Sequence, residues 1–259
     1  MNIIQLRQLL KDKFPGLRTN PEEFSPDTRT FWPTGLPQID TLLQGGFAKG
    51  ALTEIVAAQR TAAVSETSCR KPLFAKRFQE SSRPGVEPSP GWLSIQPQST
   101  GSALLACSLL HQAAQAGQIV AFVDGADSLE ATQLEETVLS RLLWVRCRVA
   151  TEALKATDLL LRDGNVPLVL LDLAINPEKQ LRAIPATTWY RLQRLIEETS
   201  TVSIIFTPRV MVAPAHDRIF LHSRFSLDSL EQNQDDLLNN LKLEAAEMHR
   251  FDELEVNAS

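Results

Sequence analysis

Cysteine, long apolar runs and clustered metal ligands are what this chain has least of. Three cysteines, Cys69, Cys107 and Cys147, stand among 259 residues. An odd number at wide spacing argues against a disulfide framework and a zinc site, and it suits a reducing cytoplasm. Cys107 and Cys147 lie in apolar surroundings and read as packing residues rather than nucleophiles. No apolar run approaches the ~18–20 residues that cross a bilayer, so no membrane contact is expected. The opening MNIIQLRQLLKDKF mixes acid with base and has no small-residue cleavage site. It reads as an amphipathic helix of the fold, not a signal peptide. The four histidines, His111, His216, His222 and His249, are scattered, and no metal is expected. No nucleophile elbow, paired-carboxylate constellation or internal repeat stands out either.

What is present fits one substantial domain with tails. The 43% hydrophobic and 22% charged content is that of a soluble globular protein. Charge is unevenly spread. From Asp228 to Ser259 nine acids face only Lys242 and Arg250, a net of −7 in a chain of net −5, so the remainder is about +2. An acidic tail beside a mildly basic body fits nucleic-acid binding that the tail moderates; it equally fits a solvated tail that keeps the protein soluble.

Hydrophobic patterning divides the chain into residues 1–33 (helix and proline-rich linker), a core over 34–227, and an acidic helix and tail over 228–259. Within the core, Leu52–Val56 predicts a strand, and residues 57–90 read as a loop insertion. A helix over Ala103–Ala116 ends at Gly117. Strands are predicted at Ile119–Asp124, Leu142–Cys147, Val166–Leu173, Thr201–Thr207 and Arg218–Phe225. Helices are predicted at Glu130–Ser140, Thr151–Arg162 (Thr151 as cap, Gly164 as stop) and Thr187–Glu198. Strands alternating with helices specify βαβ units and a mainly parallel sheet, hence a three-layer α/β/α sandwich. Ligands in such sheets bind at the carboxyl ends of the strands.

The spaced pattern Thr34-Gly35, Asp40, Gly45-Gly46, Gly50, Glu54-Ile55 resembles the opening of the RecA family core. Gln96-Pro-Gln-Ser-Thr-Gly101-Ser102-Ala103 resembles its phosphate-binding loop, and VPLVLLDL resembles its Walker B strand with Asp172 at the acidic position. The resemblance implies a RecA-like sandwich. Its departures decide the mechanism it implies. A working loop reads G-x-x-x-x-G-K-[ST], with backbone N–H groups, a lysine and a magnesium-binding hydroxyl around the phosphates. Here Gln96 stands at the first glycine, Ser102 at the lysine and Ala103 at the hydroxyl, and only Gly101 survives. The water-activating glutamate is matched by Ala126, with Asp127 one residue on. ATP hydrolysis is therefore not expected, and no cofactor is expected, with ATP binding without turnover as the alternative. Asp172 has two readings: a magnesium ligand through water, or a strand-end carboxylate that caps a neighbouring loop.

The phrases DGADSLE, LLWVRCR, ATEALKATDLLLRDGNVPLVLLDL and IPATTWYRLQRLIEETS with TPR resemble the ImuA group, also described as SulA-like or RecA-like mutagenesis proteins. That resemblance implies a bacterial, damage-inducible accessory of a Y-family DNA polymerase partner in translesion synthesis, with RecA and single-stranded DNA as further contacts. Two alternatives stand beside it: a RecA-type ATPase or recombinase with a degenerate loop, and a SulA-like cell-division inhibitor.

Three segments are candidates for binding. The loops after the Walker B strand and the next strand touch DNA in RecA. The matching loops here carry Lys179 and Arg182, then Arg209, His216 and Arg218. The insertion sets Phe74 and Phe78 among Arg70, Lys71, Lys76 and Arg77, a pattern that suits single-stranded DNA by stacking and charge, a docking peptide, or a solvated loop. Finally, Leu230, Leu237, Leu238, Leu241, Ala245 and Met248 fall at helical spacing in a predicted helix over Ser229–Arg250. That stripe packs on its own domain or serves as a helix-in-groove ligand for a partner.

Overall fold

Alternation within the strands decides which helices lie on which side of the sheet. In the computed structural model, which describes residues 2–14, 30–57, 99–226, 229 and 231–246, the strand β6 (Leu168–Asp172) shows the rule. Leu168 and Leu170 enter the core on one face and Val169 and Leu171 on the other, all four at 0% exposure. A near-continuous apolar run is stable only where helices cover both faces. The strands β3 (Ala51–Val56), β4 (Val120–Asp124), β5 (Leu142–Arg146), β6, β7 (Val202–Thr207) and β8 (Asp217–Leu221) run parallel, in the order β5-β4-β6-β7-β3-β8. A seventh, β9 (Leu243–Ala245), pairs antiparallel with β8. A separate ribbon pairs β1 (Phe31–Trp32) with β2 (Phe47–Ala48). One face carries α1 (Ile3–Lys13), α5 (Ala150–Asp163), α6 (Glu178–Arg182) and α7 (Ala186–Glu197). The other carries α2 (Pro37–Leu42), α3 (Ser102–Gln115) and α4 (Glu136–Leu139). This is the expected three-layer α/β/α sandwich.

The first helix packs on its own core. Asn2 and Gln5 close a capping box at its start. Leu6, Leu10 and Phe14 sink into the α5 face. Arg7 reaches Asp163, whose side chain is wholly buried, at 2.7 Å.

Four local expectations are corrected. The helix over Glu130–Ser140 splits into a 3₁₀ turn at Ala131–Gln133 and the short α4. Glu130 accepts hydrogen bonds from the N–H and hydroxyl of Thr132, so a side chain takes what an i−4 carbonyl would take in a longer helix. Thr151 does not cap α5, which starts at Ala150. The Ala150 N–H donates instead to Gln180 Oε1 at 3.0 Å, and this tertiary bond replaces a local cap. The strand expected to run to Phe225 ends at Leu221, and it is not the last. The helix expected over Ser229–Arg250 breaks into α8 (Gln234–Asn239) and β9. Here Leu241 turns into the core at 7% exposure, and Lys242 ties back to β8 through Ser223 Oγ and the His222 N–H. Ladder bonds to the sheet edge outweigh helical propensity at this point. Leu237 is half-buried, and Leu230 and Met248 lie outside the described residues.

One buried acid holds the far half of the sheet. Parallel strands joined without a helix need a connection of about a dozen residues or more, yet 208–216 joins β7 to β8 over β3 with fewer and no helix. Glu54, on β3 and 0% exposed, supplies the anchor. Its Oε1 accepts from Thr207 Oγ1 (3.0 Å) and from the N–H groups of Met211 (2.7 Å) and Val212 (3.1 Å). Its Oε2 accepts from Arg218 Nε at 2.7 Å, and Arg218 also donates to the Val212 carbonyl. Truncating Glu54 to Ala strands a largely buried guanidinium and should cost about 3–5 kcal/mol in urea unfolding. Glu54→Leu combined with Arg218→Met should cost less than that single change.

Candidate functional site

The carboxyl ends of β3, β4, β6 and β7 lie together at one edge of the sheet, where the resemblance places nucleotide chemistry. Asp124 ends β4 at 0% exposure. It accepts the N–H groups of Ala126 (3.3 Å), Ser128 (2.8 Å) and Leu129 (2.8 Å), and the Ser128 hydroxyl (3.3 Å). Its carboxylate is spent on folding the loop 125–129. Asp127 is held in the left-handed region at φ 54°, and Arg146 donates to it from Nε at 2.6 Å and from Nη2 at 2.9 Å. Arg146 in turn lies 4.9 Å over the Trp144 ring on the edge strand β5. That Arg146 bond holds the Asp127 carboxyl below the ordinary aspartate range.

Asp172 ends β6 beside Asp124 in register. Its Oδ1 accepts the Ala174 N–H at 2.9 Å, which closes the turn after the strand. Among the described residues no lysine or arginine pairs with it. Burial pushes its carboxyl up to about 6, with a smaller push from Asp124 and an opposing pull from the Ala174 bond. Cys107 on α3 is half-buried, and its thiol is raised by burial and by Asp172. Cys147 is buried, and burial raises its thiol to about 11. Neither is an activated nucleophile.

The start of α3 follows the segment that resembles a phosphate-binding loop. Gln96 lies outside the described residues, while Gly101 takes φ 84° and opens the helix, with Ser102 half-buried and Ala103 exposed. Ser99 is bridged to Phe225 by two backbone bonds, at 3.0 and 2.9 Å. A Cβ on Gly101 would stand 2.7 Å from Leu241 Cδ2 and 2.8 Å from the Phe225 ring. The glycine here accommodates apolar side chains of the C-terminal segment. Close backbone approach by glycine is the same property that a phosphate loop uses for its ligand.

The candidate binding residues separate. Arg70, Lys71, Phe74, Lys76, Arg77 and Phe78 lie outside the described residues. Arg218 is corrected from a loop contact to a strand residue, 18% exposed and paired with Glu54. Lys179, Arg182 and Arg209 remain exposed. The fold brings two of them together: Glu178 Oε1 accepts from Arg182 Nε at 2.8 Å and Arg209 Nε at 3.1 Å. Leu241 packs on its own core. Glu54 stands in the sequence only as part of the RecA-like opening pattern, and no motif marks Asp124 or Glu178. An acid inside ALTEIV, a strand covered on both faces, was the available signal for Glu54, since such a charge must be paired.

No known family profile matches the chain, and no curated protein matches it. Among solved structures, the crystal structure of the RadB recombinase is similar, with 15% identity and a TM-score of 0.45 over 72% of this chain and 81% of that chain. The expected fold class is the one adopted: helices on both faces of a mainly parallel seven-stranded sheet.

The raised Asp172 carboxyl has a signed consequence. Its folded value, about 6, lies above the ordinary 3.8, so the unfolded chain ionises more easily and the folded state is penalised as pH rises from about 4 through 6. Asp172→Asn removes that penalty. It should raise stability by about 3 kcal/mol at pH 8 and by well under 1 kcal/mol at pH 4, measured by urea unfolding at both values.

Proposed function

We propose that this chain is a non-catalytic, cytoplasmic RecA-like accessory of damage-induced translesion synthesis, acting by binding a Y-family DNA polymerase partner. RecA and single-stranded DNA are weaker contacts in this reading, and ATP is not a working cofactor. The observation that carries the non-catalytic part is the state of the nucleotide edge. Ser102 and Ala103 stand where a lysine and a magnesium ligand would be, Phe225 and Leu241 pack on Gly101, and half-buried Asp172 has no cationic partner among the described residues. In-line phosphoryl transfer depends almost wholly on positioned positive charge around the phosphates. The partner is inferred from the sequence resemblance. No helix among the described residues is long and apolar enough to cross a membrane.

Titration with ATP and Mg²⁺ should give no calorimetric heat and no thermal stabilisation. A shift of several degrees would favour the RecA-type ATPase reading instead, because a ligand at 100 times its Kd adds about 2.7 kcal/mol. Co-expression with the Y-family polymerase of the same organism should yield a complex at micromolar concentration. Its absence, together with cell filamentation on expression, would favour the division-inhibitor reading.

A further inference from the structure

The loops that follow β6 and β7 lie side by side, because the two strands are parallel neighbours from Leu168↔Val202 to Asp172↔Phe206. Each loop leaves one large apolar side chain in water, Ile175 at 50% and Val210 at 47% exposure. Arg182, on the short helix α6 after β6, and Arg209, in the loop after β7, meet at one carboxylate oxygen of Glu178. The pull of Arg182 first, then of Arg209, holds the Glu178 carboxyl below its ordinary range.

This surface is poorly suited to a phosphate backbone. Of its three cations, Lys179, Arg182 and Arg209, two are shared with Glu178, which leaves a net charge of +2. So few phosphate contacts support only weak, strongly salt-dependent affinity. Two exposed aliphatic side chains add nothing to a nucleic acid, because bases stack on aromatic rings. The same features suit a protein segment. Ile175 and Val210 offer apolar anchors. Glu178 engages each guanidinium through Nε and so pre-orients both, leaving their terminal nitrogens to take a carboxylate. A guanidinium already held in place loses less freedom on binding.

We propose that the Ile175–Val210 surface, with the Arg182–Glu178–Arg209 bridge, docks a segment of the partner protein that carries acidic residues between apolar ones. The proposal rests on the accessory reading for the partner's identity but not for the chemistry of the surface. The positions are exposed, so substitutions there should leave the fold intact.

The experiment uses the full chain and two probes in fluorescence anisotropy: the purified Y-family polymerase, and a synthetic peptide alternating Asp and Glu with Leu and Phe. A third arm uses single-stranded oligo(dT). Val210→Asp, and separately Arg182→Glu with Arg209→Glu, should each weaken polymerase binding at least tenfold. Ile4→Asp, on the exposed side of α1, should leave it unchanged, and all variants should keep the wild-type melting temperature. The peptide should bind the wild type and lose binding in the same variants, while its Asn/Gln counterpart should not bind. A polymerase complex that survives Val210→Asp and the double reversal overturns the surface and leaves the accessory reading standing. Peptide binding without any polymerase complex overturns the accessory reading and leaves the surface. Oligo(dT) binding that depends on Arg182 and Arg209, with no peptide binding, makes this a nucleic-acid site and overturns the proposal.

Discussion

Glu54 is the constraint on which the far side of the molecule depends. A carboxylate at 0% exposure inside a parallel sheet is tolerable only when its lone pairs are filled, and here two backbone N–H groups, a hydroxyl and a guanidinium fill them. Those donors come from β7, from the helix-free crossover and from β8. One side chain therefore registers three segments that are distant in sequence. The crossover then delivers Arg209 and Val210 to the carboxyl edge, and β8 becomes a template for β9.

At the carboxyl edge of the sheet the acids serve the fold itself. Each acid there has a structural task. Asp124 gathers the N–H groups of its loop, Asp127 is drawn to Arg146, and Asp172 closes the turn after β6. Gly101 keeps its left-handed backbone and uses the space for Leu241 and Phe225. Among the described residues no lysine or arginine pairs with Asp172, so nothing cationic offsets the burial that pushes its carboxyl up.

Much of the fold was legible in local pattern. The helix ends at Gly117 and Gly164, the doubly covered β6 and the parallel sheet all follow from glycine placement and apolar periodicity. The misreadings share a cause. At Glu130, Thr151 and the C-terminal leucines, a side chain or strand edge satisfied backbone groups that local rules assign to a helix. The leucine stripe from Leu237 to Leu241 has helical spacing over one short helix only, and beyond it the ladder with β8 decides. Arg218 looked like a loop cation because nothing local distinguishes it from Arg209. Only the partner across the sheet does.

The sequence by itself determined the fold class and the layers on both faces of the sheet, because periodicity and residue identity are local properties. Tertiary structure alone decided which charges are free and which are paired. It buried Arg218 against Glu54, joined Arg182 to Arg209 through Glu178, and left Ile175 and Val210 in water at one edge. Such pairings depend on distances between residues far apart in the chain, and those distances exist only once the strands have taken their order.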